Sequence, residues 1–386
     1  MTLINLSEML SKEEKFAKAK NLGYLIDLKN KDAYHESIKK NKSSKPDSNS
    51  WKDKRVLITG VAGFVGSHLA EKLLSYGAKP YGIVKKHATP FYFNIDHILK
   101  SFKVFTLDMT ELEALEEVVK KTDPHIIFHL ASESFVPTSV SEPKRVFYNN
   151  AESTYNVFIA ARKYAQSLEA LHVACSSEQY GYIKGLSEIP IKENNILRPL
   201  SSYAVSKVAT EYIAKMYNEV YGIPSIITRA FNHEGPRRGY KFFTAVVARE
   251  VAKCLLNSDN KIIIGNPNSI RDITHVYDMV EAYLLAAEKV ERGEPYNVCT
   301  GKGITTGDYV QLAMETFDLQ NKAQILVDTE RLRVHERNLG LFDGFVGDYT
   351  KFNKKTGWNP TLSLIDLIRD HVNFYLDNKN LINIEV

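Results

Sequence analysis

Tyr203 and Lys207 stand four residues apart in Tyr203-Ala-Val-Ser-Lys207, a stretch of helical character. That spacing puts a phenol and an ammonium on one helix face. A neighbouring cation favours phenolate, so Lys207 is expected to draw the pKa of Tyr203 toward the range useful for proton transfer. Upstream, Ala174-Cys-Ser176-Ser177-Glu178-Gln-Tyr180-Gly181 ends an apolar run of strand type and supplies a hydroxyl and a carboxylate. Two apart on an extended chain, Ser176 and Glu178 would point the same way. A phenol, an ammonium, a hydroxyl and a carboxylate together suit proton removal from an alcohol and from an acidified C–H bond. A lone Tyr and Lys at this spacing would mean little. A structural salt bridge is the plain alternative for Glu178.

A second group of residues suits a dinucleotide. Thr59-Gly60-Val-Ala-Gly63-Phe64-Val65-Gly66 follows an apolar run at 55–59 and opens a helical stretch. Glycines permit the tight turn and a close backbone approach to pyrophosphate, and the helix start adds free N–H groups and partial positive charge. Three glycines alone are a weak sign; the strand–turn–helix setting makes them specific. The second run ends in Val84-Lys85-Lys86, without the acid that holds ribose hydroxyls in NAD sites. Two ammonium groups suit a 2′-phosphate, so NADP is expected, with NAD as the alternative. Two solvated lysines would give the same pattern. Asp108 and Met109 follow the third run and are expected near the adenine.

The elements that position these residues read as alternating strands and helices. Apolar runs at 55–59, 80–84, 103–107, 125–130, 170–174 and 225–228 are separated mostly by helical patterns. Strands apolar on both faces, alternating with helices, predict an α/β fold: a Rossmann-type doubly wound parallel sheet with a smaller α/β substrate-binding lobe. The expected division is 1–50 as an extension and flexible linker, 51–235 as the dinucleotide-binding domain, and 236–386 mainly as the second lobe. Some segments of the last part are expected to return to the first domain. Helices at 243–256 and 277–290 and strands at 261–264 and 294–298 are assigned to that last part. Leu10, Phe16, Leu22 and Leu25 allow a weak amphipathic helix or two, and 41–50 is rich in Ser, Lys and Asn, as a linker would be.

Composition limits the function. The chain has 386 residues, 44% hydrophobic and 25% charged, with a net charge of +4. Of that charge, +3 lies in residues 1–50, so the body is near neutral and offers no basic stripe for nucleic acid. No apolar run approaches the roughly 18 residues of a membrane span, and residues 1–10 lack the pattern of a secretion signal. The three cysteines, Cys175, Cys254 and Cys299, lack metal-ligand spacing and suggest a reducing, cytoplasmic setting.

On these motifs, over roughly residues 55 to 375, the chain resembles the extended short-chain dehydrogenase/reductase family. The resemblance implies that Ser176, Tyr203 and Lys207 act together, with Leu130, Ala131 and Ser132 lining the cofactor site. Asn150-Ala-Glu-Ser-Thr154-Tyr-Asn156 is similar to a family helix. Arg271-Asp272-Ile-Thr-His275-Val-Tyr-Asp278 is similar to a signature whose arginine approaches the substrate diphosphate. Dehydratases of the family carry a Thr-Ser-Glu or Thr-Asp-Glu triplet where this chain has Ser176-Ser177-Glu178. Oxidation at sugar carbon 4 acidifies the proton on carbon 5; a carboxylate removes it, water leaves carbon 6, and the stored hydride returns there. UDP-glucuronate decarboxylases have a similar triplet, so Glu178 alone does not fix the reaction.

Two stretches resemble the GDP-mannose 4,6-dehydratase branch. Phe231-Asn232-His-Glu234-Gly-Pro-Arg237-Arg238-Gly239 implies an arginine loop that reaches a neighbouring subunit's cofactor site, hence a homo-oligomer, dimer or tetramer. Arg331-Leu-Arg333-Val334-His-Glu336 implies a substrate segment in which Arg333 holds the nucleotide diphosphate; a planar guanidinium suits phosphate. Ser134, Asn232, Arg271, Arg333 and Glu336 are the implied substrate contacts, and Arg238 an implied cofactor contact. The chain departs from the branch at Phe64-Val65-Gly66, at Ala131-Ser132-Glu133-Ser134, at Val334 and over 338–345, which leaves a GDP-heptose or another hexose open. A GDP-4-keto-6-deoxy-sugar reductase, a decarboxylase, an epimerase and a non-catalytic dinucleotide-binding protein are the other readings.

Overall fold

In chain order the strands are β1 Leu3–Asn5, β2 Arg55–Thr59, β3 Lys79–Val84, β4 Lys103–Thr106, β5 Ile126–His129, β6 Ala170–Ser176, β7 Ser225–Ala230, β8 Asn232–Glu234, β9 Lys261–Ile264, β10 Ile270–His275, β11 Pro295–Val298, β12 Gly303–Thr305, β13 Gln324–Asp328 and β14 Gly344–Phe345. The main helices are α1 Lys31–Lys39, α2 Phe64–Ser75, α3 Leu112–Thr122, α4 Pro143–Tyr164, α5 Ser202–Tyr221, α6 Phe243–Leu255, α7 Val276–Lys289, α8 Thr306–Thr316 and α9 Leu364–Asp377. The structure, a computed structural model, describes residues 3–5, 23–85, 92–183, 186–328, 330 and 344–383.

Seven strands form one parallel sheet in the order β11-β7-β6-β5-β2-β3-β4. The chain winds outward from β2 to β4, then restarts at β5 on the other side. That reversal opens a crevice at the carboxyl ends of β2 and β5, where such sheets bind ligands. Alternate residues serve opposite faces. Ile58 and Phe128 pack with Leu69 and Leu73 of α2 and Tyr283 of α7. Leu57 and Ile127 pack with Leu115 of α3, Phe158 of α4 and Ile213 of α5. Burial on both faces explains why these strands read as unbroken apolar runs.

The smaller lobe carries two short sheets, β12-β10-β14 with β8 beside β10, and β1-β13-β9. Helices α6, α8 and α9 close over them with Val247, Val251, Val310, Leu367 and Ile368. The strand expected at 294–298 belongs to the large sheet, where Pro295 pairs with Ile227. It is carried there by α7, which crosses back onto that sheet's face.

Residues 41–50 do not behave as the expected linker. Asn41 Nδ2 donates to Pro360 O at 2.8 Å, Ser44 N to Gly357 O at 2.9 Å, and Lys45 pairs with Glu281 at 2.6 Å. Trp51, 1% exposed, packs against Phe128. A polar composition leaves a segment loose only when its side chains find no partners, and here they do. Among the described residues no helix is long and apolar enough to cross a membrane.

Candidate active site

The turn after β2 closes on its own backbone. Gly60 adopts φ +72°, and a Cβ there would meet Ala131 Cα at 3.0 Å. A Cβ on Gly66 would stand 2.4 Å from Gly60 O. Gly63 is the N-cap of α2 and brings no side chain to the first-turn amides, which leaves them for an anion.

Gly60 and Gly63 form one wall of a cavity of about 770 Å³ that continues over Lys85, Asp108 and Met109. Leu130, Ala131, Ser132, Arg237 and Arg238 also line it, with Ala131 directly against Gly60. Ser132 Oγ is buried and meets no hydrogen-bond partner among the described residues. Asp108 accepts from Thr110 N at 3.0 Å and from Thr110 Oγ1 at 2.8 Å. These bonds, the backbone one foremost, hold its carboxyl below the ordinary range, and Lys85 stands 3.8 Å away. Glycines where no Cβ fits, uncapped amides and an unpaired hydroxyl fit a dinucleotide. Phe64, Val65 and Gly66 begin α2 behind this wall. The Phe64 ring stacks on His233, centroids 6.1 Å apart, and so joins α2 to β8. Lys86 lies outside the described residues.

Ser176, Glu178, Tyr203 and Lys207 lie at the end of β6, on the turn after it and on α5, and are not among the residues that line this cavity. β6 runs to Ser176, and 3₁₀ geometry takes over at Ser177–Tyr180, so the extended geometry expected through Glu178 does not persist. Ser176 caps that turn: its Oγ accepts from Glu178 N at 3.2 Å, while Gln179 Oε1 accepts from Ser176 N at 3.1 Å. The turn still brings Glu178 within the electrostatic reach of Tyr203. Lys207 Nζ donates to Ala174 O at 2.7 Å and lies 5.8 Å from the centre of the Tyr203 ring.

The titration of this pair differs from expectation. Burial pushes the Tyr203 phenol up to about 12; the Ser176 hydrogen bond lowers it and the Glu178 charge raises it further. Burial also draws Lys207 down to about 8. Desolvation of two closely packed groups thus outweighs the expected depression of the phenol by the ammonium.

A buried ion pair holds the turn after β6. Arg229 on β7 grips Glu211 on α5 through Nε and Nη2, both at 2.7 Å. Glu211 also accepts from Gln179 Nε2 at 2.9 Å, and Arg229 Nη1 donates to Tyr180 OH at 2.8 Å. Sequence reasoning missed this network. Its one signal was Glu211 at four residues beyond Lys207, which reads as an ordinary helix charge. On the cavity side, Asn150 accepts from Glu133 N at 2.8 Å and donates to Ser206 Oγ at 3.0 Å, tying the wall to α5.

The arginine loop makes several contacts within its own chain. Arg237, at φ +70°, pairs with Glu71 at 2.7 Å. Arg238 lies 3.0 Å from Glu234, covers the Phe242 ring at 3.5 Å, and acts electrostatically on Tyr203. His68 Nε2 meets Pro236 O at 3.0 Å and fastens the loop to α2, so acidic and aromatic partners are at hand within the chain. Asn232, half-buried on β8, and Arg271, buried on β10, sit on adjacent paired strands. Arg271 Nη1 donates to Ile270 O at 2.8 Å, with its guanidinium 5.7 Å from the Phe345 ring centre. Ser134 is exposed and outside the cavity wall, although Glu133 lines it. Arg333 and Glu336 lie outside the described residues.

The chain is 28% identical over 351 residues to a GDP-mannose 4,6-dehydratase of Yersinia enterocolitica, covering 83% of this chain and 93% of that one. It is 27% identical over 316 residues to a GDP-6-deoxy-D-mannose reductase of Pseudomonas aeruginosa, covering 82% and 95%. Among solved structures, RMD from Pseudomonas aeruginosa complexed with NADPH superposes with a TM-score of 0.70 at 25% identity, covering 84% of this chain and 99% of that one. The family model described as GDP-mannose 4,6 dehydratase matches residues 57–371, and the chain belongs to that family.

Proposed function

We propose that the protein is an NADP(H)-dependent nucleotide-sugar 4,6-dehydratase acting on GDP-mannose or a related GDP-hexose. The observation that carries this reading is Glu178, held by the Ser176 turn within the electrostatic field of the buried Tyr203 phenol. A nicotinamide dinucleotide bound in the cleft supplies a reversible hydride store. Tyr203, hydrogen-bonded to Ser176, takes the proton from the carbon 4 hydroxyl. Lys207 keeps a positive charge beside Tyr203 and favours the phenolate that accepts this proton and becomes the phenol. Once carbon 4 is a carbonyl, Glu178 removes the proton from carbon 5, and hydroxide leaves carbon 6 with a proton as water. Arg271 and Arg333 are assigned to the diphosphate. Lys85 and Lys86 are assigned to a 2′-phosphate, which favours NADP over NAD.

The test is turnover of GDP-mannose in heavy water. The expected product is lighter by one water and carries deuterium at carbon 5. A product without deuterium there defeats the proposal. Net consumption of NADPH would identify a reductase, and release of carbon dioxide from a uronic acid substrate a decarboxylase. Three buried, unpaired thiols support a reducing, cytoplasmic setting. Tyr148 and Tyr155 on α4 and Val205 and Tyr212 on α5 are exposed on two packed helices, which supports a homo-oligomer. Light scattering of the purified chain reads that state directly.

A further inference from the structure

Residues 23–51 precede the stretch that the family model matches, yet they bury Leu25, Ile26, Ile38 and Trp51. This arm pairs with β12, the neighbour of the strand that carries Arg271. Gly303 N donates to Tyr24 O, and Ile26 N to Gly303 O, both at 2.8 Å. Gly303 pairs in turn with Asp272, and Ile304 with Arg271. The arm thus adds an outer rung to the sheet, in the order Leu25, β12, β10.

The side chains leave little slack in that stack. Leu25 packs in one cluster with Ile270, Phe345 and Val346. A Cβ at Gly303 would meet Ile270 and Val346 methyls at 2.7 Å and Leu25 Cδ2 at 3.1 Å. Phe345 is also the ring beside the Arg271 guanidinium. From α1, Tyr34 approaches the same strand: burial and then the Asp272 charge push its phenol well up. The arm is fastened beside this contact by Lys302 Nζ, which donates to Gly23 O at 2.5 Å.

We propose that the arm positions Arg271 for the substrate diphosphate, with Leu25 as the positioning residue. The inference rests on reading Arg271 as a diphosphate ligand. Displacing a guanidinium by a fraction of an ångström weakens a paired phosphate contact while leaving the reacting groups on α5 and β6 in place.

The experiment compares the full chain with Leu25→Ala, the milder Leu25→Val, the size-conserving Leu25→Met, and Lys31→Ala as a control in the same arm. For Leu25→Ala, KM for GDP-mannose is expected to rise about tenfold with kcat and NADPH affinity nearly unchanged. Leu25→Val should show a smaller rise, Leu25→Met should restore KM, and Lys31→Ala should leave it alone. Hydrogen exchange should quicken over 270–275 in Leu25→Ala and stay unchanged over 225–230. A lower melting temperature with unchanged KM in Leu25→Val, or unchanged exchange over 270–275, overturns the proposal. A wild-type chain that binds NADPH but no GDP-mannose removes the substrate reading and this inference together. A wild-type chain that binds both, with KM indifferent to Leu25, removes this inference alone.

Discussion

The turn after β2 and the turn after β6 leave the same edge of the sheet, two strands apart, and hold their shapes by different means. The first is backbone against backbone: Gly60 lies under Ala131, and Gly66 lies against Gly60 O. The second is a lattice of side chains, from Ser176 and Gln179 through Glu211 to Arg229 and Tyr180. A pyrophosphate keeps its charge throughout a reaction, so fixed amides and close approach suffice for it. Groups that exchange protons need directional partners, and these are set by a buried pair.

The comparison breaks most visibly at Gly66. Gly66→Ala places a methyl against backbone that cannot yield, and overpacking of this kind costs about 1–3 kcal/mol. NADPH binding, followed by nucleotide fluorescence, is expected to disappear, and binding at the original affinity would contradict the account of the first turn. Glu178→Gln should act on the second turn alone. Dehydration is expected to fall about 10²- to 10⁴-fold, the usual share of a positioned acid or base, with NADPH binding intact.

Glu211→Gln leaves Arg229 buried without its carboxylate, a loss of about 3–5 kcal/mol when such pairs are broken. Urea unfolding should show it. The residual activity of folded enzyme should fall through kcat, because the turn that holds Ser176 and Glu178 loosens. A stability loss with kcat unchanged would demote the network to scaffolding.

The smallest effect is in pH. Lys207 titrates near 8 when folded against an ordinary 10.5, so between those values the unfolded chain holds more protons and stability rises with pH. Over the same window the folded chain loses the charge beside Tyr203. Turnover is therefore expected to decline above about pH 8 while thermal melts report a fold no less stable. Parallel loss of both would mean that another group governs the alkaline limb.

What could be read in advance follows the same division. The glycine turn, the strands around it and the Tyr203–Lys207 spacing lie in short contiguous stretches, and their physics is local. The doubly wound sheet was legible because two-face burial writes itself as apolar runs. The Glu211–Arg229 pair was not, since its members are 18 residues apart and meet only through the packing of α5 on β7. The pKa of Tyr203 was misjudged because charge spacing is visible in a sequence and desolvation is not. The seating of residues 41–50 depends on Gly357, Asn359 and Pro360, which no local pattern announces.

The arm at 23–51 also bears on how the protein is made. Gly23 and Lys302 are 279 residues apart, and His35 and Ser363 are 328 apart. At roughly 5–20 residues per second on the ribosome, the first of these pairs waits about 15–55 s for its second member to be synthesised. During that interval Leu25 and Ile26 lack the β12 surface that covers them, and the large sheet itself waits for α7 and β11. A chain stalled before Ser363 could already seat Leu25 against β12 and β10, but would leave His35 without its Ser363 partner and the cavity without Phe374 and Tyr375.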